Sequence, residues 1–183
     1  MTVDSKVPVL GFAAYSGTGK TTLLIKLLPL LNAQNIKTAL IKHAHHDFEI
    51  DHEGKDSYEL RKAGARQVLV GSEKRWALIT ENNTGRKTTL NDFISCLHQD
   101  DLDLILVEGF KPEIIPKIEL TRPSLGKPFF YPLDKSIIAI ATDEELPEET
   151  DLPVLDINNP KAIVDFIISN VIQTDKIKAD TGT

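Results

Sequence analysis

The chain has 183 residues, of which 41% are hydrophobic and 26% are charged. This length and composition are typical of one globular domain and exclude a chain that is disordered throughout. The formal net charge of −6 argues against a protein that coats nucleic acid, because such proteins are usually basic. Seven carboxylates and no Lys or Arg lie in residues 143–156, so the acidity belongs mainly to one segment. That segment is either a solvated loop or a docking surface for a basic partner.

Cys96 is the only cysteine, which excludes an intrachain disulfide and is typical of a reducing compartment. Residues 1–6 lack the pattern of a signal peptide. No apolar run reaches the roughly 18–20 residues that a membrane-spanning helix needs. We therefore expect a cytoplasmic protein that binds neither a membrane nor nucleic acid.

The start of the chain predicts a strand, a helix and a second strand. Residues 7–13 form an apolar run that predicts a buried strand. Leucines recur on one face of residues 21–33, which predicts a helix that Pro29 kinks or shortens. A second strand is predicted at residues 38–41.

Two short helices are predicted in the middle of the chain. Asp56-Ser57-Tyr58-Glu59 resembles a capping box, which predicts a helix that ends near Gly64. Further along, Thr88 or Thr89 is expected to cap a helix that runs to about His98.

A β-hairpin is predicted between these helices. Two apolar runs flank Gly71-Ser72-Glu73, so we expect residues 66–80 to form two antiparallel strands. Because an antiparallel hairpin does not belong in a plain parallel sheet, we interpret it as an insertion.

The second half of the chain predicts further strands and a last helix. Residues 102–107 are strongly apolar and predict a central strand. Residues 111–132 hold five of the ten prolines, which predicts mostly loop with one edge strand at residues 117–120. Two more strands are predicted at residues 137–141 and 154–155, and the last helix begins at Asn159-Pro160.

The strongest motif is Ala14-Tyr15-Ser16-Gly17-Thr18-Gly19-Lys20-Thr21, which matches a phosphate-binding P-loop with Ala for the first Gly. It lies between a predicted strand and a predicted helix, as this motif requires. Its glycines let the backbone curl, so that successive N–H groups point at phosphate oxygens. The alternatives are an ordinary strand–turn–helix corner and a site for phosphate or sulfate alone. Lys20 is expected to reach the β- and γ-phosphates and Thr21 to hold Mg²⁺; the predicted nucleotide-binding residues are Ser16, Gly17, Thr18, Gly19, Lys20, Thr21 and Thr22.

Apolar strands that alternate with helices predict an α/β fold with a mostly parallel sheet flanked by helices. Together with the phosphate loop, this pattern is P-loop NTPase-like. We expect a single domain over residues 1–174, with the hairpin of residues 66–80 inserted, and a flexible tail at residues 175–183.

Glu108 follows the apolar run of residues 102–107 and is the predicted second ligand of Mg²⁺. It lies at the carboxyl end of a predicted strand, where ligands bind in open α/β sheets. Asp103 would lie at the opposite end of the same strand. The alternative for Glu108 is an ordinary surface glutamate.

Four of the five histidines lie between His43 and His52, together with Asp47 and Asp51. Three interpretations remain open for this loop. Asp47 contacts Mg²⁺ or its waters, the histidines bind a transition metal, or the loop is solvated and its imidazoles bond to backbone.

Several blocks accompany the phosphate loop along the chain, namely residues 41–47, 54–65, 75–78, 102–111 and 156–158. In these blocks the chain resembles the family of MobB-type molybdopterin-guanine dinucleotide biosynthesis adapter proteins, over roughly residues 7–172. The phosphate loop alone is shared by many families, whereas the histidine-rich block together with residues 54–64 and 107–111 is much more specific.

The resemblance implies a GTP-binding homodimer whose sheet is extended between subunits, and residues 66–80 would then serve as the dimerisation element. It implies an adapter for the guanylyltransferase that attaches GMP to molybdopterin, with molybdopterin itself as a transient ligand. It also implies at most a slow Mg²⁺-dependent GTPase, in which Lys20 and Glu108 would be the residues that bear on hydrolysis.

Recognition of guanine is predicted at Asp143, although the usual Asn-Lys-x-Asp motif is absent. Asp143 follows a predicted strand, and its carboxylate would accept from the N1–H and N2–H groups of guanine. The alternative is an ordinary loop carboxylate.

Two other functions are open from the sequence. A small metabolite kinase would need arginines over the transferred phosphate, for which Arg122 and Lys127 are the candidates. A metallochaperone-type GTPase would place the histidines on a metal, but it lacks the cysteines that such proteins often use. Tyr15 occupies the position at which one related subgroup carries an additional lysine, so that subgroup's mechanism between two monomers is not supported.

Overall fold

Six parallel strands form the main sheet of the protein, with the order β2-β5-β1-β6-β7-β8. The structure is a computed structural model that describes residues 3–44, 48–82 and 85–174. It divides into two compact units, one of which is Ala44–Thr88 and the other the remainder of the chain. The strands of the main sheet are β1 (Val9–Ala14), β2 (Thr38–Lys42), β5 (Leu104–Glu108), β6 (Lys117–Leu120), β7 (Ile137–Thr142) and β8 (Val154–Asp156).

Strands β1 and β5 occupy the middle of this sheet, and the register pairs Phe12 with Glu108. All six residues of β1 are buried, as are the first four of β5. A strand covered on both faces has no polar face, which explains why these segments are apolar runs and not alternating patterns. The predicted α/β fold with a mostly parallel sheet is confirmed.

Helices α1 (Lys20–Ala33) and α4 (Pro160–Ile167) cover one face of the sheet. Their inward residues include Leu27, Leu31 and Ile163, which are fully buried against Leu10 of β1. Burial of each such side chain contributes roughly 1.5–3 kcal/mol. Helix α4 begins as predicted, because the Asn159 side chain accepts a hydrogen bond from the Ala162 N–H.

Helix α3 (Leu90–Ile94) covers the other face, where Leu90 and Ile94 pack with Ile105. Thr89 caps it as one of the two predicted candidates, because Thr89 and Asp92 exchange hydrogen bonds in a capping box. The helix is shorter than predicted, since it ends at Ile94.

Helix α1 runs through Pro29 to Ala33, so the expected shortening is wrong, whereas the expected kink stays a prediction. Pro29 lies on the solvent side of the helix, as does Ile25, which is 67% exposed. The carbonyl that Pro29 leaves without an N–H partner is that of Ile25, where water is available.

Strand β6 was expected at an edge, and that prediction is wrong because β6 lies between β1 and β7. The neighbouring prolines lie outside the strand, so all four of its residues pair with β1, while towards β7 the register shifts between Lys117 and Ile118. Its two charged residues are buried with partners. Lys117 donates to Asp134 at 2.9 Å and to Ser136 at 2.7 Å, while Glu119 accepts from two backbone N–H groups.

The unit Ala44–Thr88 contains helix α2 (Asp56–Lys62) and the antiparallel strands β3 (Gln67–Gly71) and β4 (Trp76–Thr80). The predicted hairpin is therefore present, with Leu69 opposite Leu78. The capping box predicted at residues 56–59 is wrong. Lys55 is the N-cap of α2, and the Glu59 carboxylate accepts from the Gly54 N–H at 3.2 Å.

No helix in the described part of the chain is both long enough and apolar enough to span a bilayer. The predicted tail at residues 175–183 lies outside the described residues.

Candidate functional site

The phosphate loop joins the carboxyl end of β1 to the start of α1. Gly17 has φ 84° and Gly19 has φ 98°, a left-handed conformation that side chains other than glycine rarely adopt. Thr18 is buried, and its hydroxyl donates to the Tyr15 carbonyl at 2.9 Å. The loop therefore ends in the positive N-terminus of a 14-residue helix, where an anion is favoured.

Lys20 and Glu108 come together at this end of the sheet. The Lys20 ammonium nitrogen lies 3.3 Å from Glu108 Oε1, and the Lys42 nitrogen lies 3.9 Å from Glu108 Oε2. The strand register explains why Glu108 lies near both lysines, because Glu108 ends β5 between Phe12 of β1 and Lys42 of β2. Asp103 lies at the opposite end of β5, where it accepts from the Lys37 N–H at 2.9 Å.

The oxygens near the loop suit a hard divalent cation. Both ion-pair distances at Glu108 exceed the roughly 2.7–3.2 Å of a good N–H···O hydrogen bond. The carboxylate therefore keeps lone pairs for another ligand, although it is only 13% exposed. Carboxylate and hydroxyl oxygens, as Glu108 and Thr21 offer, are what Mg²⁺ prefers.

Arg122 connects the phosphate loop to the carboxyl end of β7. Its Nε donates to the Thr18 carbonyl at 3.0 Å, and its guanidinium also pairs with the Asp143 carboxylate. Asp143 directly follows β7, so the structure places it at the same end of the sheet as the loop. The arginine that a kinase would use over its phosphate is thus held by two partners.

Gly109 is a site residue that the sequence analysis did not single out. Its φ is 102°, and a Cβ built there would lie 2.9 Å from His43 Cβ and 3.0 Å from the His43 carbonyl oxygen. The His43 N–H donates to the Glu108 carbonyl at 2.8 Å. The end of β2 thus packs directly on the turn after Glu108, and only glycine fits the turn.

Lys111 lies against two aromatic rings beside the phosphate loop. Its ammonium nitrogen lies 4.9 Å from the centroid of the Tyr15 ring and 4.7 Å from that of Phe130. The two rings stack on each other with centroids 4.5 Å apart. Burial, and then the positive charge of Lys20, lower the pKa of Lys111.

The histidine-rich loop is only partly described. His45, His46 and Asp47 lie outside the described residues, so the predicted Mg²⁺ contact of Asp47 stays a prediction. In the unit Ala44–Thr88, Asp51 accepts from Arg61 at 2.8 Å, and this hydrogen bond lowers the pKa of Asp51. Within the part of the chain that the structure describes, no group of three or more His, Cys, Asp or Glu side chains is arranged to hold a metal.

Comparison with known proteins identifies relatives over most of the chain. The family model described as molybdopterin guanine dinucleotide synthesis protein B matches residues 9–143. The molybdopterin-guanine dinucleotide biosynthesis adapter protein of Escherichia coli K12 is 49% identical over 169 residues, which are 92% of this chain and 95% of the relative. The protein of the same name from Haemophilus influenzae is 44% identical over 165 residues and 90% of either chain.

Solved structures show the same fold. The crystal structure of Bacillus subtilis MobB superposes with a TM-score of 0.70 at 26% identity, over 90% of this chain and 98% of that one. A MobB homologue from Bacillus stearothermophilus gives a TM-score of 0.67 at 23% identity, over 91% and 98% of the two chains. The latter similarity concerns the fold alone.

Proposed function

From the premise that this chain belongs to the molybdopterin guanine dinucleotide synthesis protein B family, we propose that it is a GTP-binding adapter in molybdenum cofactor biosynthesis. Membership confirms the resemblance drawn from the sequence and supports the adapter role. In this proposal the chain assists a partner guanylyltransferase that converts molybdopterin to molybdopterin guanine dinucleotide, with molybdopterin as its transient ligand. The observation that carries the proposal is the Lys20–Glu108 contact beside the phosphate loop.

Nucleotide binding follows from the chemistry of the loop. Left-handed glycines at positions 17 and 19 expose backbone N–H groups, and the N-terminus of α1 adds a positive end. The Lys20 ammonium replaces its loose contact with Glu108 by stronger contacts to the β- and γ-phosphates. The residues that would hold the nucleotide are Ser16, Gly17, Thr18, Gly19, Lys20, Thr21 and Thr22.

Thr21 and Glu108 would hold Mg²⁺, with Asp47 as a further proposed ligand. The ion, when bound, neutralises part of the phosphate charge. Glu108 has a second proposed task in this chain, because its charge offsets part of that of Lys20 and Lys42 before the nucleotide arrives.

Slow hydrolysis is expected from the arrangement of Arg122. An arginine that stabilises the transferred phosphate is worth about 10³–10⁵ in rate. Here the guanidinium is already bound to the Thr18 carbonyl and to Asp143. We propose turnover well below about 1 s⁻¹, which favours an adapter over a metabolite kinase.

Guanine selectivity is proposed to rest on Asp143. The Arg122 guanidinium pairs with Oδ2 of Asp143 and so orients the Asp143 carboxylate at the carboxyl end of β7. The carboxylate would accept from guanine N1–H and N2–H, whereas adenine presents an unprotonated N1 and would leave it unpaired.

Homodimerisation is proposed through the hairpin of the unit Ala44–Thr88. Leu69, Trp76 and Leu78 share one face of this two-stranded sheet, and they are 64%, 55% and 44% exposed. A two-stranded sheet with an exposed apolar face is marginal in water, and a second copy would cover the face and the strand edges. The assembled protein is proposed to be cytoplasmic.

The adapter role is tested by a binding assay with the purified guanylyltransferase immobilised on a sensor. We expect the wild-type chain to bind more tightly with GTP and Mg²⁺ than without them. The variant Lys20→Ala should bind equally in both conditions. If the wild-type chain binds the guanylyltransferase neither with nor without GTP and Mg²⁺, the docking proposal is contradicted.

A further inference from the structure

Lys111 is placed beside the phosphate loop by two aromatic rings. Tyr15 belongs to the loop itself, and Phe130 belongs to the segment between β6 and β7. The Lys111 nitrogen lies within 5 Å of both ring centroids, at the distance of a cation–π contact. An ammonium in such a position is oriented without being neutralised.

The aromatic pair is itself anchored in the core. Glu119 of β6 is 1% exposed, and its two oxygens accept the Phe130 N–H at 2.8 Å and the Tyr131 N–H at 2.7 Å. A buried carboxylate therefore fixes the backbone that carries the Phe130 ring. The Phe130 side of the contact is thus fixed by the core, while Lys111 itself is exposed.

The charges around Lys111 are unbalanced. Lys20, Lys42 and Lys111 supply three positive charges, and Glu108 is the carboxylate that contacts two of them. The positive charge of Lys20, together with burial, lowers the pKa of Lys111. Two ammonium groups that repel each other near a phosphate loop favour a bound anion.

We propose that Lys111, presented by Tyr15 and Phe130, binds a terminal dianionic phosphoryl group beside the phosphate loop. The group is either the γ-phosphate of the nucleotide or the phosphate of a second ligand placed next to a nucleoside diphosphate. A phosphate oxygen forms a stronger contact with the ammonium than two aromatic faces do. The inference rests on the proposed function, because it presupposes a nucleotide on the loop.

The test measures the affinities of fluorescent GTP and GDP analogues, with Mg²⁺, for wild-type protein and the variants Lys111→Met, Lys111→Arg and Lys135→Met. Lys111→Met keeps most of the stem and removes the charge, and Lys135→Met is the control at an exposed lysine just before β7, at the opposite end of the sheet. Thermal unfolding of each variant checks that the fold is retained. Binding of inorganic phosphate to the GDP-loaded proteins is measured in parallel.

We expect Lys111→Met to weaken GTP binding about tenfold and GDP binding less than twofold, as for loss of one charge-assisted contact. Lys111→Arg should retain most of the preference for GTP. If the group belongs to a second ligand, Lys111→Met will instead weaken phosphate binding to the GDP-loaded protein.

Equal effects of Lys111→Met on GTP and GDP, or no effect in any of the three titrations, would overturn the inference. Failure of the proposed function looks different, because wild-type protein and all variants would then bind neither nucleotide. A wild-type protein that binds GTP and loses it with Lys20→Ala leaves the proposed function intact whatever Lys111 does.

Discussion

The Lys20 ammonium lies 3.3 Å from the Glu108 carboxylate, so the cation of the phosphate loop and the acid at the end of β5 form one site. Two features of the chain bring them together. The loop follows β1 directly, and β1 pairs with β5 so that Phe12 stands beside Glu108. The same carboxylate lies 3.9 Å from the ammonium nitrogen of Lys42 on the next strand.

Replacement of this acid, Glu108→Gln, separates its two proposed tasks. Without Mg²⁺, GTP binding should be unchanged or tighter, because Lys20 and Lys42 lose the charge that opposes the phosphates. With Mg²⁺, the gain in affinity should be about tenfold smaller than in the wild type, since the amide is a weaker ligand. Titrations of a fluorescent GTP analogue with and without Mg²⁺ measure both effects.

The control for this variant is Asp101→Asn, which removes an exposed carboxylate just before β5. Mg²⁺ should raise the GTP affinity of this control as much as it raises that of the wild type. An unchanged Mg²⁺ response in Glu108→Gln would assign the metal ligand to another residue.

Gly109→Ala tests the turn that carries Glu108. Alanine at a positive φ costs about 1–2 kcal/mol, and at Gly109 the new Cβ also meets the His43 backbone at 3.0 Å. The matched control is Gly126→Ala, where φ is 59° and a Cβ meets nothing within 4 Å. Urea unfolding should show Gly109→Ala to be less stable than the control by about 1 kcal/mol or more. Equal losses of stability in the two variants would show that His43 moves aside for the added Cβ.

The buried Glu119 makes stability depend on pH in a predictable direction. Burial raises the pKa of Glu119 above its ordinary value of 4.5, so the folded chain binds this proton more tightly than the unfolded chain. The contribution of Glu119 to the free energy of unfolding therefore falls as pH rises from below 4.5 through its raised pKa. Glu119→Gln removes this contribution. The free energy of unfolding of the wild type minus that of the variant should therefore decrease as pH rises over this range. Urea unfolding at several pH values measures it, and a difference that grows instead would reverse the assignment.

Several parts of the fold were predictable because their signals are local. The phosphate loop needs two glycines, a lysine and a threonine in sequence, and a buried parallel strand needs an apolar run such as that before Glu108. The cap of α3 needs Thr89 and Asp92 three residues apart. Each of these signals lies within one short segment.

The features that were missed depend on distant partners. Strand β6 carries Lys117 and Glu119 between flanking prolines, which is typical of a surface strand; its burial depends on Asp134 and on the backbone of Phe130. The aromatic contacts of Lys111 exist because Tyr15 and Phe130, from opposite halves of the chain, stack beside it. No local pattern in the sequence encodes such a meeting.

Dimerisation is tested by Trp76→Asp, which places a charge on the apolar face of the hairpin. Wild-type protein at micromolar concentration should sediment as a dimer and the variant as a monomer, because a buried aspartate without a partner is costly. Lys74→Glu, at the exposed turn of the same hairpin, should remain dimeric. A wild-type monomer, or a dimer that survives Trp76→Asp, would place the interface elsewhere.

The most direct measurement of the central claim is GTP binding by Lys20→Ala compared with Lys26→Ala, which removes an exposed lysine from the same helix. Titration of a fluorescent GTP analogue in the presence of Mg²⁺ should show saturable binding to the wild type and to Lys26→Ala. Lys20→Ala should lose about 100-fold or more in affinity while its thermal unfolding remains that of a folded protein. Unchanged GTP affinity in Lys20→Ala would contradict the assignment of the phosphate loop and the function built on it.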